Sequence, residues 1–329
     1  MKNVAGCIAA ALVAVLASAP LHAEEKLTFN MSWLPQGSIV GVAVALDQGW
    51  FKNDGLDVTI VRGYGGNRTA NELDQGQFDI GYVDPISLIL NRSNGGKIQA
   101  IGAINTQWPA GICFASKQHT IHTLEDLHGL TMGGGSASPV QNVVPAWLEL
   151  NGRPRDDIRM LRMDPAVVDS SFVEGKIDLA ECWRASNRSV IKKQAKAAGV
   201  DIGWIEYSDY KLNAYGSGFA AREETIAAKP DVLTKFLKSS YRGYDFARSH
   251  PDQAADIMVK MFPTLDREVV ADQIKDINVL TVDPAAADRG PGYQREDRMA
   301  STLTFVDKAF QLNGKVSVRD VYTNALLPK

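Results

Sequence analysis

The sequence predicts an α/β protein of two lobes, each a mixed, mostly parallel sheet flanked by helices, with a ligand cleft between them at a two-crossing hinge. Three observations lead there. From residue 26 onward, strand-like runs alternate with helical segments of roughly ten to fifteen residues, the pattern of right-handed crossovers onto a covered sheet. That pattern restarts near residue 111. Finally, one short phrase is written twice, QGQFDIGYVD at 75–84 and EGKIDLAECW at 174–183, so that Gly76, Phe78 and Asp79 answer Gly175, Ile177 and Asp178. Each copy reads as a helix that stops on glycine, turns and enters a buried strand.

In order, KLTFNMSW (26–33) alternates as a strand does, and Pro35, Gln36 and Gly37 break it. Ser38 caps a helix running IVGVAVALDQGWF, and LDVTIVRG (56–63) is the second strand. GYGGNRT is a Gly-rich loop, TANELDQGQ a short helix, and DIGYV a third strand. Asp84-Pro85 opens the next helix with proline at its favoured first position, and KIQAIGAI (97–104) is the fourth strand. The second unit runs GICFAS (111–116) as strand, TLEDLHG as a capped helical turn and LTMGG as strand. Its helix PVQNVVPAWLELNG contains Pro145. IRMLRM (158–163) and DLAECW are further strands, with a helix begun by Asp164-Pro165 between them. Beyond about residue 217 the chain reads as helical, with Val232, Phe236, Leu237, Tyr241 and Tyr244 near helical spacing. This tail has too few strands for its own sheet and is expected to pack back on the first unit. The lobes are therefore expected at 24–115 with 218–329, and at 116–217, joined by crossings near 115 and 217.

The first 23 residues read as a cleavable signal peptide: Lys2, a short apolar run at 8–17, and Leu21-His22-Ala23 before an acidic start. Without them the chain keeps 34 basic and 38 acidic residues and no basic block, which argues against nucleic acid or an electrostatic membrane anchor as partner. No clustered histidines or CxxC motif call for a metal, and no cofactor is implied. Cys113 and Cys182 remain, each in an apolar context, and both a disulfide and two buried thiols are open readings.

Ligands of parallel sheets sit at the carboxyl ends of strands, against helix N-termini. The candidates are therefore Trp33, Gln36, Tyr64 and Asp84 in the first lobe, and Ser136, Ser138, Glu181 and Trp183 in the second. Trp108 and Tyr215 lie by the crossings. Tryptophans and Tyr64 suit stacking on a planar ring, and Asp84 and Glu181 suit acceptance from ring N–H groups. The GGGSAS turn pulls the other way, toward an anion, with Arg68, Arg184 and Arg188 nearby in sequence. No nucleophile elbow, phosphate loop or assembled base is legible, so binding is expected rather than turnover.

VAVALDQGWFKNDGLDVTIV, the G-x-φ-D phrase, TLEDLHGLTMG and KPDVLTKFLKS together resemble periplasmic solute-binding proteins of the nitrate/sulfonate/taurine class over 26–250. The resemblance implies a type II periplasmic-binding fold serving an ABC importer. It also implies permease transmembrane subunits and a cytoplasmic ATPase as partners, a periplasmic location and a monomer. Trp33-Leu34-Pro35 is similar to the branch that binds thiamine-pyrimidine precursors, which implies a pyrimidine-like ligand. A sulfonate, nitrate or carboxylate is the alternative. Eukaryotic pyrimidine synthases share the fold but carry a dense cysteine cluster that this chain lacks.

Overall fold

The computed structural model describes residues 24–135 and 138–328; the signal-peptide reading of 1–23 and the candidate Ser136 lie outside the described residues. The chain forms β1 (Glu25–Asn30), α1 (Val40–Asp47), α2 (Trp50–Asn53), β2 (Leu56–Val61), α3 (Gly66–Asp74), β3 (Ile80–Val83), α4 (Pro85–Ser93) and β4 (Ile98–Ala103). It continues through β5 (Ala110–Ala115), β6 (Thr131–Gly135), α5 (Val140–Leu150), β7 (Arg159–Met163), α6 (Pro165–Val173), β8 (Leu179–Trp183), α7 (Asn187–Ala197), β9 (Ile202–Glu206) and β10 (Gly218–Arg222). The tail holds α8 (Glu223–Ala228), α9 (Pro230–Ser249), α10 (Pro251–Met261), α11 (Arg267–Leu280), α12 (Glu296–Phe310) and α13 (Val318–Val321).

Two five-stranded sheets result, in the orders β2-β1-β3-β10-β4 and β7-β6-β8-β5-β9. They are topological copies. In each, three strands run parallel, and an antiparallel strand is inserted before the last: β10 between β3 and β4, β5 between β8 and β9. The inserted strands are those by which the chain leaves or enters a crossing.

The doubled phrase has a local cause. Gly76 and Gly175 end their helices with φ of 75° and 72°, a conformation that favours glycine. Three residues on, Asp79 accepts from the Thr28 backbone N–H at 2.8 Å, and Asp178 accepts from that of Thr131 at 2.8 Å. Both aspartates return their own N–H to the carbonyl of the same threonine. The repeated aspartate thus pins the incoming strand to the central parallel strand of its sheet, and this accounts for its recurrence without any ligand.

The sequence places the first crossing near 115, but β5 already pairs with β8 and β9. The chain has therefore changed sheets by Ala110, and the first crossing is 104–109. The second, 207–217, leads into β10. The tail also differs from expectation. It does pack on the first unit, where α9 crosses α1 so closely that a Cβ on Gly243 would lie 1.9 Å from the Gly41 carbonyl oxygen. Yet α11 also meets α7, and α12 lies against α5, so the tail braces both units.

Burial follows the layers. In the first unit Phe29, Phe219 and Phe236 meet as tilted or edge-on rings under α9, with Phe51 stacked on Phe236 at 5.2 Å. In the second, buried Trp147 packs on Tyr207 at 4.9 Å and donates its indole N–H to the Tyr210 carbonyl at 3.0 Å. Cys113 of β5 and Cys182 of β8 form a disulfide, which decides between the two open readings. No described helix is long and apolar enough to cross a membrane.

Candidate functional site

The site begins with two carboxyl groups that the fold brings toward each other from different sheets. Asp84 follows β3 and caps α4, accepting from the Ser87 backbone N–H at 2.9 Å and the Ser87 hydroxyl at 2.6 Å. Pro85 occupies the first helical turn, where no N–H is needed. A Cβ at Gly66 would stand 2.1 Å from Asp84 Oδ2, so the Gly-rich loop has no side chain here because Asp84 fills the space. Glu181 comes from β8 and is as deeply buried as Asp84, each 8% exposed. Burial pushes the Asp84 carboxyl up, and it pushes Glu181 up to about 7. Contacts from the Trp183 and Ser138 side chains pull Glu181 back toward the charged form, while the Asp84 charge raises it further. Two acids whose charges sense each other in a buried setting favour a guest that brings hydrogen-bond donors or positive charge.

Two tyrosines stand close enough to feel these charges, Tyr82 that of Asp84 and Tyr207 that of Glu181. Tyr82, with its hydroxyl pushed up to about 12 by burial, takes an N–H bond from Asn105 at 3.0 Å and has Ser38 and Ser217 beside it. Asn30, at the end of β1, accepts from the Ser32 backbone N–H at 2.8 Å. Among the described residues the Asn30 Nδ2, Asn105 Oδ1, Trp108 Nε1 and Tyr207 hydroxyl are buried without a protein hydrogen-bond partner, as are atoms elsewhere in the fold such as Ser240 Oγ and Asn278 Oδ1. Trp108, on the first crossing and 2% exposed, packs on Trp183 with centroids 5.1 Å apart. Asn187 holds the end of β8 in place, accepting from the Trp183 N–H at 2.8 Å and donating to the Glu181 carbonyl at 3.0 Å and to Asp169 at 3.1 Å. Burial raises Asp169 to about 6. Among the described residues, no group of His, Cys, Asp and Glu is placed to hold a metal. A cavity of ≈190 Å³ on the hinge, lined by Gln107, Lys211, Asn213 and Arg298 among others, shares no residue with this site.

A family model described as NMT1/THI5 like matches residues 36–254, from the rim of the first lobe through both sheets to α10. The chain belongs to the NMT1/THI5-like family. It is 23% identical to the riboflavin-binding protein RibY of Chloroflexus aurantiacus, over 92% of this chain and 86% of that one. It is 20% identical to a formylaminopyrimidine-binding protein of Halalkalibacterium halodurans, over 92% and 91%. A 4-amino-5-hydroxymethyl-2-methylpyrimidine phosphate synthase of Candida albicans is 24% identical over 74% of each chain. Among solved structures, the alkanesulfonate-binding protein SsuA of Xanthomonas axonopodis pv. citri, bound to MOPS, superposes with a TM-score of 0.69 at 15% identity, covering 91% of this chain and 98% of that one. The fold is that of periplasmic binding proteins.

Within this NMT1/THI5-like fold the expected residues separate into groups. Asp84, Glu181, Ser138, Trp108 and Trp183 come together as described. Gln36 sits on the lobe boundary instead, accepting from the Ser186 hydroxyl at 2.6 Å. Trp33 and Tyr64 are on the rim, 39% and 52% exposed, in two loops tied by Gly63 and Gly65 N–H bonds to Trp33 and Ser32. Arg62 and Arg68 lie over the Tyr64 ring at 4.4 and 4.6 Å, so that ring is already engaged. Tyr215 is buried on the second crossing, where its hydroxyl accepts from the Arg295 N–H at 2.7 Å and its backbone N–H donates to Thr302 at 3.0 Å; it braces the tail. Reasoning from strand ends does not point to Asn30, Ser38, Tyr82, Asn105, Asn187 or Tyr207 as site residues. Asn30 and Tyr82 carried a usable signal, being polar residues within apolar strand ends rather than just beyond them.

Proposed function

We propose that the protein is the substrate-binding component of an ABC importer that captures a small, planar, donor-bearing heterocycle of the pyrimidine kind between its lobes. It does so in the periplasm and passes the solute unchanged to membrane permease subunits. The observation that carries the ligand class is the pair Asp84 and Glu181, buried from different sheets and near enough that the Asp84 charge raises Glu181. The arginines that could have reversed the charge are spoken for: Arg188 pairs with Glu206 at 2.5 Å and with Asp276 at 2.8 Å, and Arg184 pairs with Asp276 at 3.3 Å. Trp108 and Trp183 supply an aromatic wall for a flat ring. The formylaminopyrimidine-binding relative supports the same class. Cysteine-dependent turnover finds less support than binding, because the cysteines of residues 24–328 are both spent on one disulfide.

The test is calorimetric and fluorescence titration of residues 24–329 with an aminopyrimidine, an alkanesulfonate and an aromatic dicarboxylate. The expected result is saturable binding of the aminopyrimidine with a change in tryptophan emission and no product. Binding of the anions alone overturns the ligand class, and consumption of the heterocycle overturns the transport reading.

A further inference from the structure

The flank of the cleft beyond Trp183 carries a seam of charge between the two lobes. On one side are the turn 184–186 and α7, which belong to the second sheet. On the other is α11, packed with α9 and α10 on the first. Arg188 sends two N–H bonds to Asp276, at 2.8 and 2.9 Å, and Arg184 Nε donates to it at 3.3 Å. The N–H of Ala185 points at the same carboxylate from 3.3 Å. Ala185 is buried with φ of 57°, a left-handed conformation costly for alanine, so the turn is held in a shape it would not choose alone. One turn along, Lys192 and Ser189 both reach Asp272 at 2.9 Å, and Gln273 donates to the Ser186 carbonyl at 2.8 Å.

Charge is balanced in the centre of this seam. Two guanidiniums, Arg184 and Arg188, face two carboxylates, Asp276 and Glu206. Arg184 directly follows the site residue Trp183, and its own N–H is fixed to the Pro109 carbonyl at 2.8 Å beside Trp108, so its backbone stands at the rim of the ligand site. Removing Asp276 leaves Arg188 on Glu206, strips Arg184 of its direct carboxylate partner and gives the rim a net positive charge.

We propose that Asp276 is a specificity-determining residue: it draws Arg184 and Arg188 onto the lobe boundary, withdraws their charge from the solute and so excludes anions from a cleft whose fold also serves sulfonates. The proposal rests on the donor-bearing ligand class argued above. In the alkanesulfonate-binding neighbour the same fold is bound to MOPS, so the scaffold itself does not forbid a sulfonate. Asp276 acts from outside the pocket, through the placement of Arg184.

The experiment titrates wild type, Asp276→Ala, Asp276→Asn and Asp276→Ala/Arg184→Ala with MOPS and with an aminopyrimidine by calorimetry. Circular dichroism and thermal melts report folding. The asparagine variant keeps the volume and an acceptor for the Ala185 N–H, so the proposal remains testable should the alanine variant fail to fold. A unit of charge released at a partly buried rim predicts MOPS affinity at least about tenfold above wild type in either folded single variant, and its loss again in the double variant. Folded variants whose MOPS affinity stays within about twofold of wild type, or a double variant that keeps the gain, overturn the role of Asp276. A wild type that binds MOPS and ignores the aminopyrimidine overturns the underlying ligand class instead, so the two failures read differently.

Discussion

Glu181→Gln separates the part Glu181 plays in the empty protein from the part it plays with a ligand. The buried Glu181 carboxyl ionises near pH 7 rather than at its ordinary 4.5, chiefly because burial disfavours the charged form. Each pH unit of such displacement is worth ~1.4 kcal/mol, so carrying the charged Glu181 costs the folded protein about 3 kcal/mol once the pH exceeds 7. The sign follows from the direction: the folded value is raised, so the favourable contribution is whole below 4.5 and is lost as the pH climbs through about 7. Glutamine keeps the shape and never ionises. Thermal melts of wild type and Glu181→Gln should therefore coincide near about pH 4 and diverge toward about pH 8, with the variant more stable by up to about 3 kcal/mol, or several degrees in Tm.

Ligand should reverse the order. A donor-bearing ring restores to the carboxylate what burial removed, and a hydrogen bond to a charged group contributes about 1.5–3 kcal/mol. Affinity in Glu181→Gln should fall by roughly one to two orders of magnitude, and the ligand-induced rise in Tm should shrink with it. A variant that is no more stable than wild type at about pH 8 would show that Glu181 is solvated in the empty protein, and the argument from buried acids would fail. A variant that gains stability yet binds the aminopyrimidine at wild-type strength would remove Glu181 from the ligand's partners.

Three further outcomes are expected. Trp183→Ala should cost about 3 kcal/mol of binding, about a hundredfold in Kd by calorimetry, because it removes the ring that faces Trp108; unchanged affinity would assign Trp183 to packing alone. Asp178→Ala should lower stability by about 1–2 kcal/mol in urea melts, through loss of the Thr131 N–H bond, and leave ligand affinity untouched; an affinity loss would give the repeated aspartate a part in the site. Reduction of Cys113–Cys182, or Cys113→Ser/Cys182→Ser, releases a loop of sequence separation 69 and should cost about 4 kcal/mol on the chain-entropy argument, seen as a lower urea midpoint; an unmoved midpoint would deny the bond any structural weight.

The unevenness of what the sequence disclosed has a physical pattern. Parallel strands and their helices were legible because each is a local signal bounded by caps and glycines, as in the alternation of Leu56–Val61 or the Asp84-Pro85 helix start. The inserted strand β10, GFAAR, and the edge strand β9, IGWIE, were not. Two of β10's five residues are alanines, and Trp204 of β9 is 44% exposed, so neither carries the alternation that marks a strand, and each is defined by partners distant in sequence. The site divides along the same line. Asp84 and Glu181 could be named from strand ends, but their mutual approach depends on how two sheets close on each other, which no local window contains. Arg184 and Arg188 show the consequence. Their charges lie close in sequence to the site, and proximity alone would enlist them for an anion. Asp276, some 90 positions later and on the other lobe, takes both. The partner of each guanidinium is therefore set by a carboxylate distant in sequence, and proximity to the strand ends is a poor guide to it.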